Sequence, residues 1–220
     1  MGKTAILLGA SGLTGKLLLK QLLEDSTYEQ VKIFTRRALG IQHAKIVEYV
    51  VDLLQLHKHI SDFTADEVFC CIGTTANKTK DKAVYKKIDF GIPVAAAKLC
   101  KANKIETFIV ISALGANAES RIFYNRTKGE MELFVERQKI MNTYILRPSL
   151  IDGKRREYRV GERIAAAMMK ILDPLLFGSL KKYRAIEAEI IASCMHFLAQ
   201  SKPNYIVVES DEIQELGTSN

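Results

Sequence analysis

Several features that would assign a chain to a special class of protein are missing from these 220 residues. No apolar run approaches the roughly 18 residues that a membrane-spanning helix needs, so we expect no stable membrane insertion. No CxxC pair and no cluster of cysteine and histidine has the spacing of a zinc site, so no metal is predicted. With 48% hydrophobic and 26% charged residues, the composition excludes disordered and low-complexity classes.

We also expect no secretion signal, because Met1-Gly2-Lys3 leads directly into an apolar, strand-like run at 4–8. The four cysteines are most simply explained as small buried apolar residues in a reducing compartment. We therefore expect a cytoplasmic protein.

Basic residues outnumber acidic ones by 32 to 25, which gives a net charge of +7 and could suggest a nucleic-acid partner. The excess is concentrated at 78–87 and 154–163. Neither stretch has the series of interleaved aromatic residues that would stack bases, and no nucleic-acid-binding motif is present. We therefore predict no nucleic-acid partner, and favour a basic mouth around an anionic small molecule.

Short apolar runs alternate with helical patterns along the chain, and the runs have the apolar character of strands covered on both faces. Strands are predicted at 4–8, 31–35, 46–51, 67–72, 107–111, 143–146 and 205–208. Helices are predicted at 13–23, 83–102, 121–138 and 187–199. Because parallel neighbours need crossover connections, this alternation indicates an α/β fold with a doubly wound, mostly parallel sheet, the Rossmann fold, in a single domain at 1–220.

A glycine-rich segment follows the first strand and opens the first helix. Glycines suit a turn with unusual dihedral angles, a backbone that approaches a diphosphate closely, and a helix packed tightly on the strand. The helix N-terminus then offers free N–H groups and a partial positive charge to the anion. No Gly-Lys-Ser/Thr closes the segment, which excludes a Walker loop. We therefore predict a dinucleotide bound by Gly9, Ser11, Gly12, Leu13, Thr14 and Gly15.

The residues about 20 positions beyond such a loop usually decide which dinucleotide binds. An acidic residue there accepts hydrogen bonds from the ribose hydroxyls of NAD, whereas an arginine pairs with the extra phosphate of NADP. This chain has Arg36 and Arg37 at that point and no carboxylate. A guanidinium matches a phosphate, so NADP(H) is predicted rather than NAD(H). Asp52 and Leu53, which end the third strand, are placed to meet the adenine, although Asp52 could equally be an ordinary helix N-cap.

Tyr124 and Lys128 share one face of the helix predicted at 121–138. Ser112 ends the preceding strand, and the carboxyl ends of the strands form the ligand crevice of a doubly wound sheet. We predict that the Lys128 charge lowers the pKa of Tyr124, which exchanges a proton with the substrate. Lys128 could also hold the ribose hydroxyls, and Ser112 would donate a hydrogen bond to the substrate carbonyl.

The alternation of strands and helices breaks after the strand at 143–146. We interpret residues 149–186 as a small C-terminal excursion that covers the cofactor site and shapes a substrate pocket. Its apolar stripe around Met168 and Phe177 is most simply lid or core packing, and a membrane-facing surface or a homodimer contact is the alternative. The acidic stretch at 209–215 is expected to be a solvated terminus.

A specific combination of motifs runs from residue 3 to about residue 200. It comprises residues 9–15, Arg36-Arg37, Cys71-Ile72-Gly73-Thr74-Thr75, Ser112-Ala113-Leu114-Gly115-Ala116, Tyr124…Lys128-Gly129-Glu130 and Arg147-Pro148. In this combination the chain resembles an atypical short-chain dehydrogenase/reductase of the Tat-interacting oxidoreductase-like branch. The resemblance implies a Rossmann fold that binds NADPH, with Tyr124 as proton donor or acceptor beside Lys128. It also implies cofactor contacts from Ile72, Gly73, Ile151 near the nicotinamide and Arg159 at the phosphates.

The sequence therefore predicts an NADPH-dependent reductase of a small carbonyl substrate. The alternative is a non-catalytic NADP(H)-binding protein that senses redox state and signals through the excursion. It is favoured by the apolar stripe and by Ser112 standing alone where the family often has consecutive serines. We expect too little room for a sugar-nucleotide epimerase or dehydratase, which generally carries a larger substrate lobe.

Overall fold

Parallel strands form the main sheet of the protein. The computed structural model describes residues 2–75, 79–152 and 178–219. Within them the strands are β1 (Lys3–Leu8), β2 (Tyr28–Thr35), β3 (Ile46–Val50), β4 (Glu67–Cys70), β5 (Thr107–Ile111), β6 (Asn142–Arg147), β7 (Ile151–Asp152), β8 (Ile186–Glu187) and β9 (Val207–Glu209). The main sheet has the order β3-β2-β1-β4-β5-β6-β9, with every neighbouring pair parallel. The predicted doubly wound α/β fold is confirmed.

Helices cross over between these strands and cover both faces of the sheet. They are α1 (Leu13–Glu24), α2 (Lys82–Lys86), α3 (Ile92–Ala102), α4 (Phe123–Glu136), α5 (Ala188–Ser201) and α6 (Ser210–Thr218). Within the described residues, 3-10 turns lie at Leu53–His59 and Gly178–Tyr183, and a π-helical turn at Lys87–Gly91 joins α2 to α3.

The apolar core lies on both sides of the sheet, because successive residues of a strand point to opposite faces. Ala5 and Leu7 of β1 belong to a buried cluster with residues of α1 and α5. Ile6 and Leu8 of the same strand belong to a second cluster with residues of α3 and α4. The near-continuous apolar runs that predicted the strands follow from this double coverage.

The helix predicted at 83–102 is confirmed as a helical run from Lys82 to Ala102, but the run is not α-helical throughout. The π-helical turn Lys87–Gly91 inserts between α2 and α3. A π turn takes up more residues than an α turn, so it shifts which side chains face inwards. The buried side chains are therefore Tyr85 in α2 and Asp89 in the turn, followed by the apolar face of α3.

The acidic stretch at 209–215 belongs to a packed helix, which corrects the expectation of a solvated terminus, although Glu212 and Glu215 are exposed. Glu209 and Glu212 form a reciprocal capping box that starts α6, in which the Glu209 N–H donates to the Glu212 carboxylate at 2.8 Å. Ile213 is buried one turn later, and α6 packs against α5. The acidic residues thus favour the first turn of a helix that an apolar residue anchors.

Most of the predicted excursion, at 153–177, lies outside the described residues. Its described flanks pair as a short parallel ladder in which Ile151 of β7 lies opposite Ile186 of β8. The Ser149 hydroxyl donates to the Arg184 carbonyl, and the Ser149 N–H donates to the hydroxyl of Ser210 at 3.1 Å. These contacts join the two flanks to the start of α6.

A buried polar network links β1, β2 and β4 at the amino end of the sheet. The Tyr28 hydroxyl donates to the Glu67 carboxylate at 2.5 Å, and the Lys3 ammonium lies 2.8 Å from the other carboxylate oxygen. Both Tyr28 and Glu67 are almost fully buried. Burial, followed by the charge of Glu67, raises the pKa of the Tyr28 phenol far above its ordinary value. The phenol therefore stays a hydrogen-bond donor to a carboxylate that water cannot reach.

We expect Tyr28→Phe to lower the free energy of unfolding by about 1–3 kcal/mol, because it leaves a buried carboxylate oxygen without its donor. Urea denaturation measures this change. Tyr205→Phe is the matched control, since Tyr205 is exposed. Equal stability of Tyr28→Phe and the wild type would contradict the role given to this hydrogen bond.

Candidate functional site

The segment between β1 and α1 can be built only from glycine at two positions. Gly9 has φ of +88°, and a Cβ there would lie 2.8 Å from the backbone carbon and oxygen of Cys71. A Cβ on Gly15 would lie 2.1 Å from the Gly9 carbonyl oxygen. The loop therefore runs in contact with the end of β4, and α1 packs tightly on the loop.

The N-terminus of α1 faces solvent with its first amides uncapped. Gly12 occupies the N-cap position in an extended conformation, and no side chain of the described residues caps the helix. Ser11 and Gly12 are exposed, while Thr14 and Gly15 are buried against the loop. No acidic residue lies in the first turn, so the amides and the helix dipole offer an anion site.

Arg36 and Arg37 follow β2 directly, beside this loop, because β2 pairs with β1 up to Leu8 and Phe34. Both side chains are exposed, and neither makes an ion pair within the described ranges. The Thr35 hydroxyl donates to the Arg37 carbonyl at 3.0 Å, which orders the turn at the end of the strand. Two cations are thus available to a ligand at this corner of the sheet.

Asp52 takes the alternative role that the sequence left open. Its carboxylate accepts the N–H of Leu54 at 3.0 Å and caps the 3-10 turn. The Leu53 side chain is buried in the core, so a contact with adenine would have to come from its backbone. An adenine contact at these two residues stays a prediction.

The structure brings Tyr124 and Lys128 together on α4 and adds a third ionisable group. The Lys128 ammonium is only 3% exposed and lies 3.1 Å from the carboxylate of Asp89, which is fully buried. Lys128 also donates to the carbonyl of Ile111, at the end of β5, at 3.4 Å. The ring of Tyr124 packs against that of Tyr85, with 5.9 Å between the ring centres.

Asp89 is the site residue that the sequence analysis missed. The π-helical turn directs its side chain inwards, and its second carboxylate oxygen accepts the N–H of Thr74 at 2.9 Å. The available signal was a carboxylate four residues after Tyr85, inside a helical pattern that is otherwise apolar on its inner side. A buried charge needs a partner, and Lys128 supplies it.

The Lys128 charge lowers the pKa of Tyr124 as predicted, but it does not set the net shift. Burial raises the pKa of the Tyr124 phenol; the Lys128 ammonium lowers it and the Asp89 carboxylate raises it again, leaving it above its ordinary value. For Lys128, burial lowers the pKa, but the charge of Asp89 and then Tyr124 raise it, leaving it above its ordinary value. At neutral pH the site therefore holds a protonated phenol beside a buried ion pair.

Ser112 does not present a free hydroxyl to the crevice. It is 4% exposed, and its hydroxyl donates to the carboxylate of Glu132 on α4. Arg147, at the end of β6, clamps the same carboxylate with contacts of 3.1 and 2.6 Å and reaches Glu209 at 3.0 Å. In this arrangement the one hydroxyl hydrogen of Ser112 is already donated, so the polarisation of a substrate carbonyl by Ser112 stays a prediction that needs this hydrogen bond to break.

The remaining predicted contact residues lie along the carboxyl edge of the sheet. Ile72 and Gly73 follow β4, and a Cβ on Gly73 would lie 3.5 Å from the Asp89 carboxylate and 3.7 Å from the Lys128 ammonium. Ile151 is half-buried in β7 against the core. Arg159 lies outside the described residues. The exposed Gly73 thus borders the ion pair.

Two comparisons with other sequences identify the family. Residues 9–170 match the NAD(P)H-binding family. The chain belongs to the NAD(P)H-binding family. Protein HTATIP2 of Rattus norvegicus is 34% identical over 167 residues, which cover 74% of this chain and 69% of that protein. The mitochondrial protein FMP52-1 of Scheffersomyces stipitis is 30% identical over 223 residues, or 97% of this chain and 98% of that protein. The resemblance to atypical short-chain dehydrogenase/reductases is confirmed.

Solved structures share the Rossmann fold of this NAD(P)H-binding protein. UDP-glucose 4-epimerase of Thermotoga maritima has a TM-score of 0.70 at 15% identity, over 98% of this chain and 82% of that one. The enzyme WbmH of Bordetella bronchiseptica, in complex with NAD+, has a TM-score of 0.70 at 13% identity, over 95% and 76%. At such identities the likeness shows the fold alone.

The residues present fit the dinucleotide that the NAD(P)H-binding family implies. The uncapped amides of α1 suit a diphosphate, and the close approach at Gly9 and Gly15 leaves the backbone of the loop as its contact surface. Over the described ranges, no helix is long and apolar enough to cross a membrane, and no group of three potential ligands could hold a metal ion.

We expect Gly15→Ala to weaken NADPH binding at least about tenfold, because the new methyl group displaces the Gly9 carbonyl and distorts the loop. Titration calorimetry with NADPH measures the affinity, and circular dichroism verifies that the variant is folded. Gly91→Ala is the matched control, since the nearest atom to its new Cβ is 3.9 Å away. Unchanged affinity in folded Gly15→Ala would contradict this placement of the dinucleotide.

Proposed function

We propose that the protein is an NADPH-dependent oxidoreductase that reduces a small carbonyl substrate. One observation carries the proposal: the glycine loop, Gly73 and the Tyr124–Lys128 pair follow neighbouring parallel strands along a single edge of the sheet. A ligand whose diphosphate lies at α1 extends along that edge over the end of β4. Its other end then reaches the face of α4 that carries the phenol.

The cofactor and the side chains of the site have separate roles in the proposed reaction. When bound, the reduced nicotinamide supplies a hydride to the carbonyl carbon. The Tyr124 hydroxyl donates a proton to the carbonyl oxygen, and its raised pKa keeps that proton in place at neutral pH. Lys128 is held by Asp89 and by the Ile111 carbonyl, so its ammonium is fixed one turn from Tyr124 on the same helix. Tyr124 and Lys128 are the catalytic residues of this proposal, without Ser112.

NADP(H) rather than NAD(H) is the proposed cofactor. Arg36 and Arg37 are exposed, adjacent to the loop and unpaired within the described part of the chain. A guanidinium gains a charged partner from the extra phosphate of NADP and gains none from an unmodified ribose.

A non-catalytic NADP(H)-binding protein that senses redox state is the second candidate. The observation that favours it is the hydroxyl of Ser112, which donates to Glu132 instead of facing the crevice. A reductase without a hydrogen-bond donor for the carbonyl loses part of its transition-state stabilisation. Binding of NADPH without consumption on any carbonyl would favour this candidate.

We also propose a single domain in which the excursion at 149–186 forms a lid, and a reducing compartment, in keeping with four free thiols. The cytoplasm is the compartment that we favour, and the mitochondrial names of the FMP52 relatives make that organelle the alternative. A homodimer through the excursion stays a prediction.

We expect Arg36→Glu combined with Arg37→Glu to weaken NADPH binding at least about tenfold and to leave NADH binding nearly unchanged, because only NADPH carries the phosphate that these cations meet. Calorimetry with both nucleotides measures the difference. Lys98→Glu with Lys101→Glu makes the same change of charge on the exposed side of α3. An equal loss for both nucleotides, or an equal effect of the control, would refute the predicted preference.

We expect Tyr124→Phe to slow NADPH consumption with a panel of small carbonyl compounds at least about a hundredfold, since the proton donor is removed. The affinity for NADPH should stay within about threefold, because the ring remains in place. Absorbance of NADPH measures the rate, and Tyr205→Phe is the control. Undiminished turnover in Tyr124→Phe would remove the catalytic role of the phenol.

A further inference from the structure

A buried carboxylate lies beside the proposed proton donor. Asp89 is fully buried on the π-helical turn, with one oxygen 3.1 Å from the Lys128 ammonium and the other bound to the N–H of Thr74 at 2.9 Å. A carboxylate in such a place is costly unless a cation compensates it, and breaking such a pair is strongly destabilising. Its presence directly behind the lysine of the proposed site therefore calls for a reason.

We propose that Asp89 is a positioning residue that neutralises Lys128, so that the Tyr124 phenol keeps its proton until a substrate accepts it. This inference rests on the proposed function, because it concerns the proton donor of the same site. It assigns to Asp89 an effect opposite to the one expected for Lys128 alone.

The contacts of Lys128 hold its ammonium in position and also balance its charge. Lys128 has three N–H groups, of which one is donated to the Ile111 carbonyl at 3.4 Å, while the Asp89 carboxylate lies on another side at 3.1 Å. The carbonyl and the carboxylate together hold the ammonium beside Gly73.

The charges that face Tyr124 come from two elements. Lys128 lies one turn along its own helix, and Asp89 approaches from the π-helical turn. The Lys128 charge lowers the pKa of Tyr124 and the Asp89 charge, 3.1 Å from Lys128, raises it, so the two contributions oppose each other. Burial, which disfavours a phenolate, then decides the protonation state of Tyr124.

Two further titratable groups of the described residues, Tyr85 and Cys70, are neutral at physiological pH. Tyr85 packs against Tyr124 from α2, and burial followed by the charge of Asp89 raises the pKa of its phenol. Cys70, at the end of β4, is fully buried, and burial raises the pKa of its thiol to about 12. Neither group supplies the positive charge that would favour a phenolate at Tyr124.

The first experiment titrates the phenolate absorbance of the wild type and of Tyr124→Phe without nucleotide. The difference between the two curves isolates one phenol among the eight tyrosines of the chain. We expect the midpoint of this difference above about pH 10, the ordinary value of a tyrosine. A midpoint below that value would show that Lys128 dominates and would overturn the inference.

The second experiment repeats the titration in Asp89→Asn, again with and without Tyr124→Phe. Asparagine keeps the shape of the side chain and an acceptor for the Thr74 N–H, but it removes the charge. We expect the Tyr124 midpoint to fall by at least about one pH unit. Glu132→Gln is the matched control, since Glu132 is a buried carboxylate on α4 that pairs with Arg147 and should leave the midpoint unchanged.

An unchanged midpoint in folded Asp89→Asn would overturn the inference, including the case in which Lys128 loses its proton instead. If Asp89→Asn does not fold, a wild-type midpoint below about pH 10 still overturns the inference, and a midpoint above it supports a protonated phenol. Calorimetry with NADPH on the same proteins separates the two proposals. A high midpoint without NADPH binding would refute the proposed function alone, whereas a low midpoint with normal binding would refute the role of Asp89 alone.

Discussion

The parallel sheet imposes the constraint on which the rest of the structure depends. Parallel neighbours cannot be joined by tight turns, so each connection must cross a face of the sheet, and both faces are buried beneath helices. The carboxyl ends of β1, β4 and β5 therefore lie side by side along one edge. Residues far apart in the chain, from the glycine loop to α4, meet there because of topology rather than local sequence.

At that edge the chain holds two sets of cationic side chains in different environments. Arg36 and Arg37 are exposed and free of carboxylates in the described structure, as suits cations that attract an anionic ligand from water. Lys128 is buried and paired with Asp89, so its charge acts only on its immediate neighbours. The two arginines are suited to selecting a ligand. The Lys128–Asp89 pair is suited to setting the protonation state of the Tyr124 phenol.

A second ion pair, between Glu132 and Arg147, weighs against a catalytic role for Ser112. Glu132 receives both Arg147 and the Ser112 hydroxyl, and Arg147 continues to Glu209 at the start of α6. This network ties the carboxyl ends of β5 and β6 to the C-terminal helix. It also takes Ser112 out of the crevice, so membership of the NAD(P)H-binding family leaves the reductase and the redox-sensing protein as distinct chemical outcomes.

Local patterns in the sequence were sufficient for the sheet, the glycine loop, the arginine pair and the face shared by Tyr124 and Lys128. Each of these depends on short-range rules: the apolar character of buried strands, the dihedral freedom of glycine and the period of a helix. The π-helical turn that directs Asp89 inwards, the capture of Ser112 by Glu132 and the burial of α6 depend on contacts between distant segments. Tertiary packing alone decided those, because the partner that stabilises a buried charge or a buried helix face is not its neighbour in sequence.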